Sequence, residues 1–107
     1  MAKVKTSSAL TRREILRRLR QNRDILNQYH VRKIGLFGSY ASGRQAGKSD
    51  IDFVVEFDQP TYGNFMAVYD FLEKLFGRKI DLLTPEAIET IRVKSVAESI
   101  KKSLVYA

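Results

Sequence analysis

Cysteine is absent from the 107-residue chain, which removes disulfides, thiolate nucleophiles and Cys-ligated zinc together. Tryptophan is absent too, and a single histidine, His30, offers no partner for an imidazole dyad. With two prolines and six glycines against 44% hydrophobic residues, the composition is not that of a disordered chain. No apolar run approaches the roughly 20 residues of a membrane span, and mean hydropathy is −0.27. Lys3 and Lys5 are followed by no apolar stretch, so no signal peptide is expected. These absences predict one small cytoplasmic domain over residues 1–107, with a flexible basic segment at 1–9.

Positive charge is plentiful but concentrated. Residues 1–29 carry eight basic side chains against Glu14 and Asp24, a net of +6, while the remaining 78 residues contribute only +1. Such a segment attracts phosphates, nucleic acid or an acidic partner surface; the bland alternative is a solvated helix face.

Apolar spacing of three and four from Leu10 to about Tyr29 predicts a first amphipathic helix with its arginines outward. Ser8 or Thr11 would cap it, with Glu14 three residues after Thr11 in a capping-box arrangement. Residues 31–37 and 51–57 read as strands, residues 62–76 as a helix stopped by Gly77, and residues 79–83 as a third strand. Thr84-Pro85 starts a helical turn, and Val93, Val96, Ile100 and Leu104 mark a last helix. The order α-β-β-α-β-α predicts an α/β (α+β) fold, a small mixed sheet with flanking helices.

The segment from Gly38 to Asp52 is the chemically informative one. Asp50 and Asp52, two apart in a strand, would project to the same face beside apolar Ile51 and Phe53. Carboxylates that close repel unless one is protonated or a cation sits between them, and hard oxygen ligands suit Mg²⁺ or Mn²⁺. Asp81, between Ile80 and Leu82, completes a three-carboxylate set if its strand neighbours the second. At the end of the first strand, Gly38 permits close backbone approach to a phosphate, and Ser39 adds donors. A short helix over residues 39–43 would add the favourable end of its dipole. Gly-Ser, ten residues, then Asp-x-Asp arises by chance in on the order of one chain in a thousand. The plain alternative makes Gly38-Ser39 a turn, Asp50 a loop cap and Asp52 a solvent-facing strand residue.

The stretch GSYASGRQAGKSDIDFVVEF resembles the signature of the DNA polymerase β-like nucleotidyltransferase superfamily, and the short chain resembles its minimal, MntA-type antitoxin branch. The resemblance implies Gly38 and Ser39 as nucleotide-phosphate contacts and Asp50, Asp52 and Asp81 as catalytic metal ligands, Asp81 also helping to deprotonate the acceptor. It further implies Mg²⁺ (or Mn²⁺), ATP as substrate and a HEPN-domain ribonuclease toxin as partner in a hetero-oligomer. The implied reaction is AMP transfer to a toxin tyrosine. One departure stands out: members of the branch often carry Arg where this chain has Ser42. Arg44, two residues on, or Lys48 would then supply the missing charge.

Other residues read more plainly. His30 is expected at a helix end, Gly43 and Gly47 as loop shapers, and Glu56 and Asp58 as solvated charges. Tyr62, Phe65, Tyr69, Phe71 and Phe76 have the helical spacing of core residues rather than of an adenine-stacking platform. Two further functions compete with the enzyme: an antitoxin that masks its toxin without chemistry, and a nucleic-acid-binding module built on Arg12, Arg13, Arg17, Arg18, Arg20 and Arg23. The second predicts steep salt dependence, yet no aromatics interleave with these arginines.

Overall fold

Thr11 starts the first helix, its hydroxyl accepting from the Glu14 N–H at 3.2 Å. The structure, a computed structural model, describes residues 10–44 and 50–107. Lys3, Lys5, Ser8, Gly47 and Lys48 lie outside the described residues. The capping box is half made, because the Glu14 carboxylate turns to Arg17 and Arg18 instead. That pairing holds Glu14 below the usual carboxylate range, the Arg17 hydrogen bond being the main cause.

The first helix is two helices. α1 (Arg12–Gln21) and α2 (Arg23–Gln28) meet at Asn22, whose side-chain amide donates to Arg18 O at 2.8 Å. A short amide that bonds the preceding turn competes with helix propagation, which periodicity over residues 10–29 does not register. His30, with φ 64°, then ends α2 in left-handed backbone, a helix-end role as expected.

β1 (Val31–Phe37), α3 (Gly38–Ser42), β2 (Ile51–Phe57), α4 (Tyr62–Phe76), β3 (Ile80–Leu83), α5 (Pro85–Glu89), α6 (Lys94–Ser103) and β4 (Val105–Tyr106) follow. The sheet runs β3-β2-β1-β4, with β1 antiparallel to β2 and β4, and β2 parallel to β3. α3 is the short helix that the phosphate-loop reading allowed for; β4 was not foreseen, since two residues carry no periodicity.

Alternation along the strands gives the sheet two apolar faces. Ile34, Leu36, Ile51, Phe53, Val55, Ile80 and Leu82 point to the larger core, where α1, α2 and α4 pack. Phe37 and Val54 point to a smaller core under α5 and α6, with Ile88 buried and Leu83, Ala97 and Ile100 partly so. Fully burying a large aliphatic side chain contributes about 1.5–3 kcal/mol, so the larger face carries most of the stability. α4 supplies Val68, Leu72 and Phe76 to it, and the Phe53 and Phe76 rings lie 5.7 Å apart. The aromatics of α4 are thus core residues, except Tyr62, which is 80% exposed.

Two of the arginines on α1 are brackets. Arg12 donates to Ala41 O at 2.9 Å and Arg18 to Leu75 O at 3.3 Å, the latter also over the Phe76 ring. Arg13, Arg20 and Arg23 remain exposed. The basic face is therefore divided between holding the fold and meeting solvent.

Gly35 sets how closely β4 can approach. A Cβ there would lie 2.9 Å from Leu104 Cδ1 and 3.1 Å from the Val105 carbonyl. Gly35→Ala is expected to lower Tm by about 4–8 °C, a cost of about 1 kcal/mol. Hydrogen exchange should show the loss of protection concentrated at residues 104–107; protection unchanged there would count against this account.

Candidate active site

The candidate site forms where the end of β1 meets the start of β2 and β3. Phe37 pairs with Asp52, and Asp52 pairs in parallel register with Asp81. In-register residues of neighbouring strands share a face, so both carboxylates lie on the α5/α6 side of the sheet, in line with Val54 and Leu83. Asp52 is half-buried and Asp81 exposed. Asp50 is half-buried and immediately precedes β2.

This placement perturbs Asp52. Its pKa is pushed up to about 6, first by burial, then by the hydrogen bond and charge of Asp81, and last by the charge of Asp50. Burial and the neighbouring Asp81 carboxylate together favour the protonated form of Asp52. Among the described residues no three His, Cys, Asp or Glu side chains converge as a ready-made metal cluster. Asp52 and Asp81 form a close pair, and Asp50 acts on Asp52 through its charge.

Gly38 presses against the Asp52 member of that pair. Its φ is +74°, and a Cβ built on it would lie 2.3 Å from Asp52 Oδ2. The space beside the carboxylate exists only because position 38 has no side chain. An all-oxygen donor pair fits a hard divalent cation, so Asp52 and Asp81, with the charge of Asp50 beside them, are the residues that would hold one.

The turn after Gly38 is held from several sides. The Gly38 N–H donates to Ser103 Oγ at 3.1 Å, and Ser103 donates in turn to Ile100 O. Arg12 grips α3 at Ala41, and Tyr40, 1% exposed, accepts a hydrogen bond from Arg78. Ser42 Oγ bonds back to Gly38 O and Ser39 O at 3.1 and 3.3 Å, so the residue standing where the branch often has Arg serves the local turn. Arg44 is exposed on the rim. Gly38, Ser39, Ser42 and Arg44 form one wall of a cleft of about 780 Å³, and Ser95, Glu98, Ser99, Lys102 and Ser103 of α6 form the other.

The geometry gathers Gly38, Ser39 and Arg44 at one cleft, with Asp52 against Gly38 and Asp81 paired with Asp52 behind it. The α6 wall went unread in the sequence. Ser95, Ser99 and Ser103 recur every four residues, a signal that was available but has no chemistry until a partner wall is known. His30, Glu56 and Asp58 stand elsewhere, Glu56 paired with Arg32 at 3.4 Å rather than merely solvated.

Residues 13–107 match the family model for the nucleotidyltransferase domain. This chain belongs to that family. The nucleotidyltransferase is 42% identical over 97 residues to MJ1379 of Methanocaldococcus jannaschii, provisionally named a protein adenylyltransferase; the match covers 87% of this chain and 94% of the relative. It is 30% identical over 85 residues to the protein adenylyltransferase MntA of Thermococcus cleftensis, covering 78% and 82% of the two chains. Its fold matches a crystal structure of a toxin-antitoxin with AMP-PNP at TM-score 0.57 and 21% identity, over 91% of this chain and 72% of that one. The order α-β-β-α-β-α on a small mixed sheet thus stands, with the first helix split into α1 and α2 and with α3, α5 and β4 added. No described helix is long and apolar enough to cross a membrane.

Proposed function

We propose that this nucleotidyltransferase moves AMP from ATP to a hydroxyl of a partner protein, a tyrosine of a HEPN-type ribonuclease toxin, and so acts in the cytoplasm as that toxin's antitoxin. The observation that carries the reading is the Asp52–Asp81 carboxylate pair held against Gly38 at the end of the cleft. Similarity to chains named protein adenylyltransferases supports the protein acceptor, and the toxin-antitoxin fold match supports the class of partner.

In this reading Gly38 and Ser39 receive the phosphates, and Ser39 offers its hydroxyl and N–H to an anionic oxygen. A bond forms between the acceptor oxygen and the α-phosphorus. The bond from that phosphorus to the bridging oxygen breaks, pyrophosphate leaves, and the acceptor proton passes to the Asp81 carboxylate. Asp50, Asp52 and Asp81 are the proposed ligands for Mg²⁺ or Mn²⁺, which would neutralise phosphate charge. The chain's own contribution is orientation and a site already charged for the reaction. Similarity to chains named protein adenylyltransferases supports an acceptor hydroxyl presented by the partner.

Intact-mass analysis after incubation with ATP and Mg²⁺, alone and with the protein encoded beside it, tests the proposal. The partner should gain one or more AMP units, and the Asp50→Asn/Asp52→Asn protein should add none. No added mass with any of the four nucleotides, while tight binding persists, would leave a masking antitoxin.

A further inference from the structure

α6 is amphipathic in an unusual way. Ala97 and Ile100, with Leu104 just past its end, pack on the smaller core. The cleft side carries Ser95, Ser99 and Ser103 in one row, with Glu98 and Lys102 beside them. The cleft, about 780 Å³, falls within the roughly 300–1,000 Å³ of small-molecule sites.

Its two walls are joined at one end by the Gly38–Ser103 hydrogen bond of 3.1 Å, so that end is fixed beside Asp52. Lys102 sits next to this junction. It has no ion-pair or hydrogen-bond partner among the described residues, whereas its neighbour Lys101 pairs with Glu89 at 3.2 Å. Arg44, on the opposite wall, is likewise without a side-chain partner among the described residues. Two uncommitted cations on facing walls of one cleft, lined also by five serines and a single carboxylate, Glu98, make a receptor for a polyanion.

We infer that α6 is the second wall of the nucleotide site, with Lys102 and Arg44 taking the β- and γ-phosphates and Ser99 adding a hydroxyl donor. The inference rests on the nucleotidyltransferase reading and deepens it by assigning the residues that distinguish a triphosphate from a monophosphate. Lys102 adjoins the Gly38 junction, where the phosphates enter the reaction. Glu98, one helical turn further from that junction, faces the sugar, whose hydroxyls donate to a carboxylate; beside a phosphate it would repel.

Isothermal titration calorimetry with two probes, α,β-methylene-ATP as the ATP probe and AMP as the AMP probe, in Mg²⁺ tests this on the full chain. Lys102→Gln should weaken the ATP probe about tenfold and the AMP probe about twofold at most, since a lost charge-assisted contact acts on the phosphates it touched. Lys101→Gln removes the same charge from the same helix but outside the cleft, and should leave both probes within about twofold of the unmodified protein. Lys102→Arg should restore most of the triphosphate affinity. Equal weakening of both probes by Lys102→Gln, or no weakening of either, overturns the inference while leaving nucleotide binding intact. Failure of the unmodified protein to bind either probe would take the nucleotidyltransferase reading down with it.

Discussion

Asp52→Asn is expected to lower AMP transfer by about three orders of magnitude while leaving the metal-free protein at least as stable as before. The two effects have opposite signs for one reason. The Asp52 carboxylate is half-buried, in register with Asp81 and influenced by Asp50, an arrangement that costs folding energy without a cation. Asn keeps the shape and removes the charge that metal and phosphate chemistry needs. A site residue that weakens the fold when left alone is the pattern expected where function rather than stability chose the side chain.

The same perturbation sets a pH dependence. The folded-state pKa of about 6 lies above the ordinary 3.8, so folding favours the protonated form. This stabilisation is complete below about pH 4 and is lost as pH rises through about 6. Solvent screening at a half-exposed group reduces the effect to about 1 kcal/mol, or a Tm lower by about 4–8 °C at pH 7.5 than at pH 4.5 from this group. Thermal melts in EDTA should show that slope in the unmodified protein, and the Asp52→Asn protein should be flatter over the same interval. Parallel curves for the two proteins would mean that Asp52 is not the group responsible.

Gly38→Ala is the second large effect, and it has two independent causes. Left-handed backbone at φ +74° costs a residue with a Cβ about 1–2 kcal/mol. The added methyl group would also lie 2.3 Å from Asp52 Oδ2 and 3.2 Å from its Cγ, so the carboxylate must move. A total loss of about 2–3 kcal/mol and a fall in transfer of about a hundredfold or more are expected, since misplacing a reacting group by about 1 Å has that consequence. A double-mutant cycle separates the causes. Asp52→Ala removes the clashing oxygen, so Gly38→Ala should cost at least about 1 kcal/mol less in that background. Strict additivity would show that backbone strain alone is at work.

Local chemistry was legible in the sequence wherever one segment decides its own shape. Thr11 caps α1, and β2 turns Ile51 and Phe53 to the larger core and Asp52 to the opposite face, as their alternation predicts. Gly77, at φ 64°, ends α4 where the periodicity stops. The Gly38-Ser39 and Asp50-x-Asp52 spacing also marked the candidate site, because a phosphate turn and a carboxylate strand each have a local signature. Asn22 was harder: only the rest of α1 and α2 shows whether its amide will cap a turn or face solvent.

Tertiary structure decided what depends on which strands and helices become neighbours. The register that sets Asp81 beside Asp52, and the Gly38 backbone against that carboxylate, are pairings between segments far apart in the chain. The arginine face was one feature in the sequence; packing split it, committing Arg12 and Arg18 to carbonyls on α3 and α4. Nor does a row of serines with one lysine on α6 indicate what it faces until Ser103 ties that helix to Gly38. Periodicity records which side of an element is apolar. The partner of its polar side is fixed only when the sheet order and the helix packing bring distant segments together.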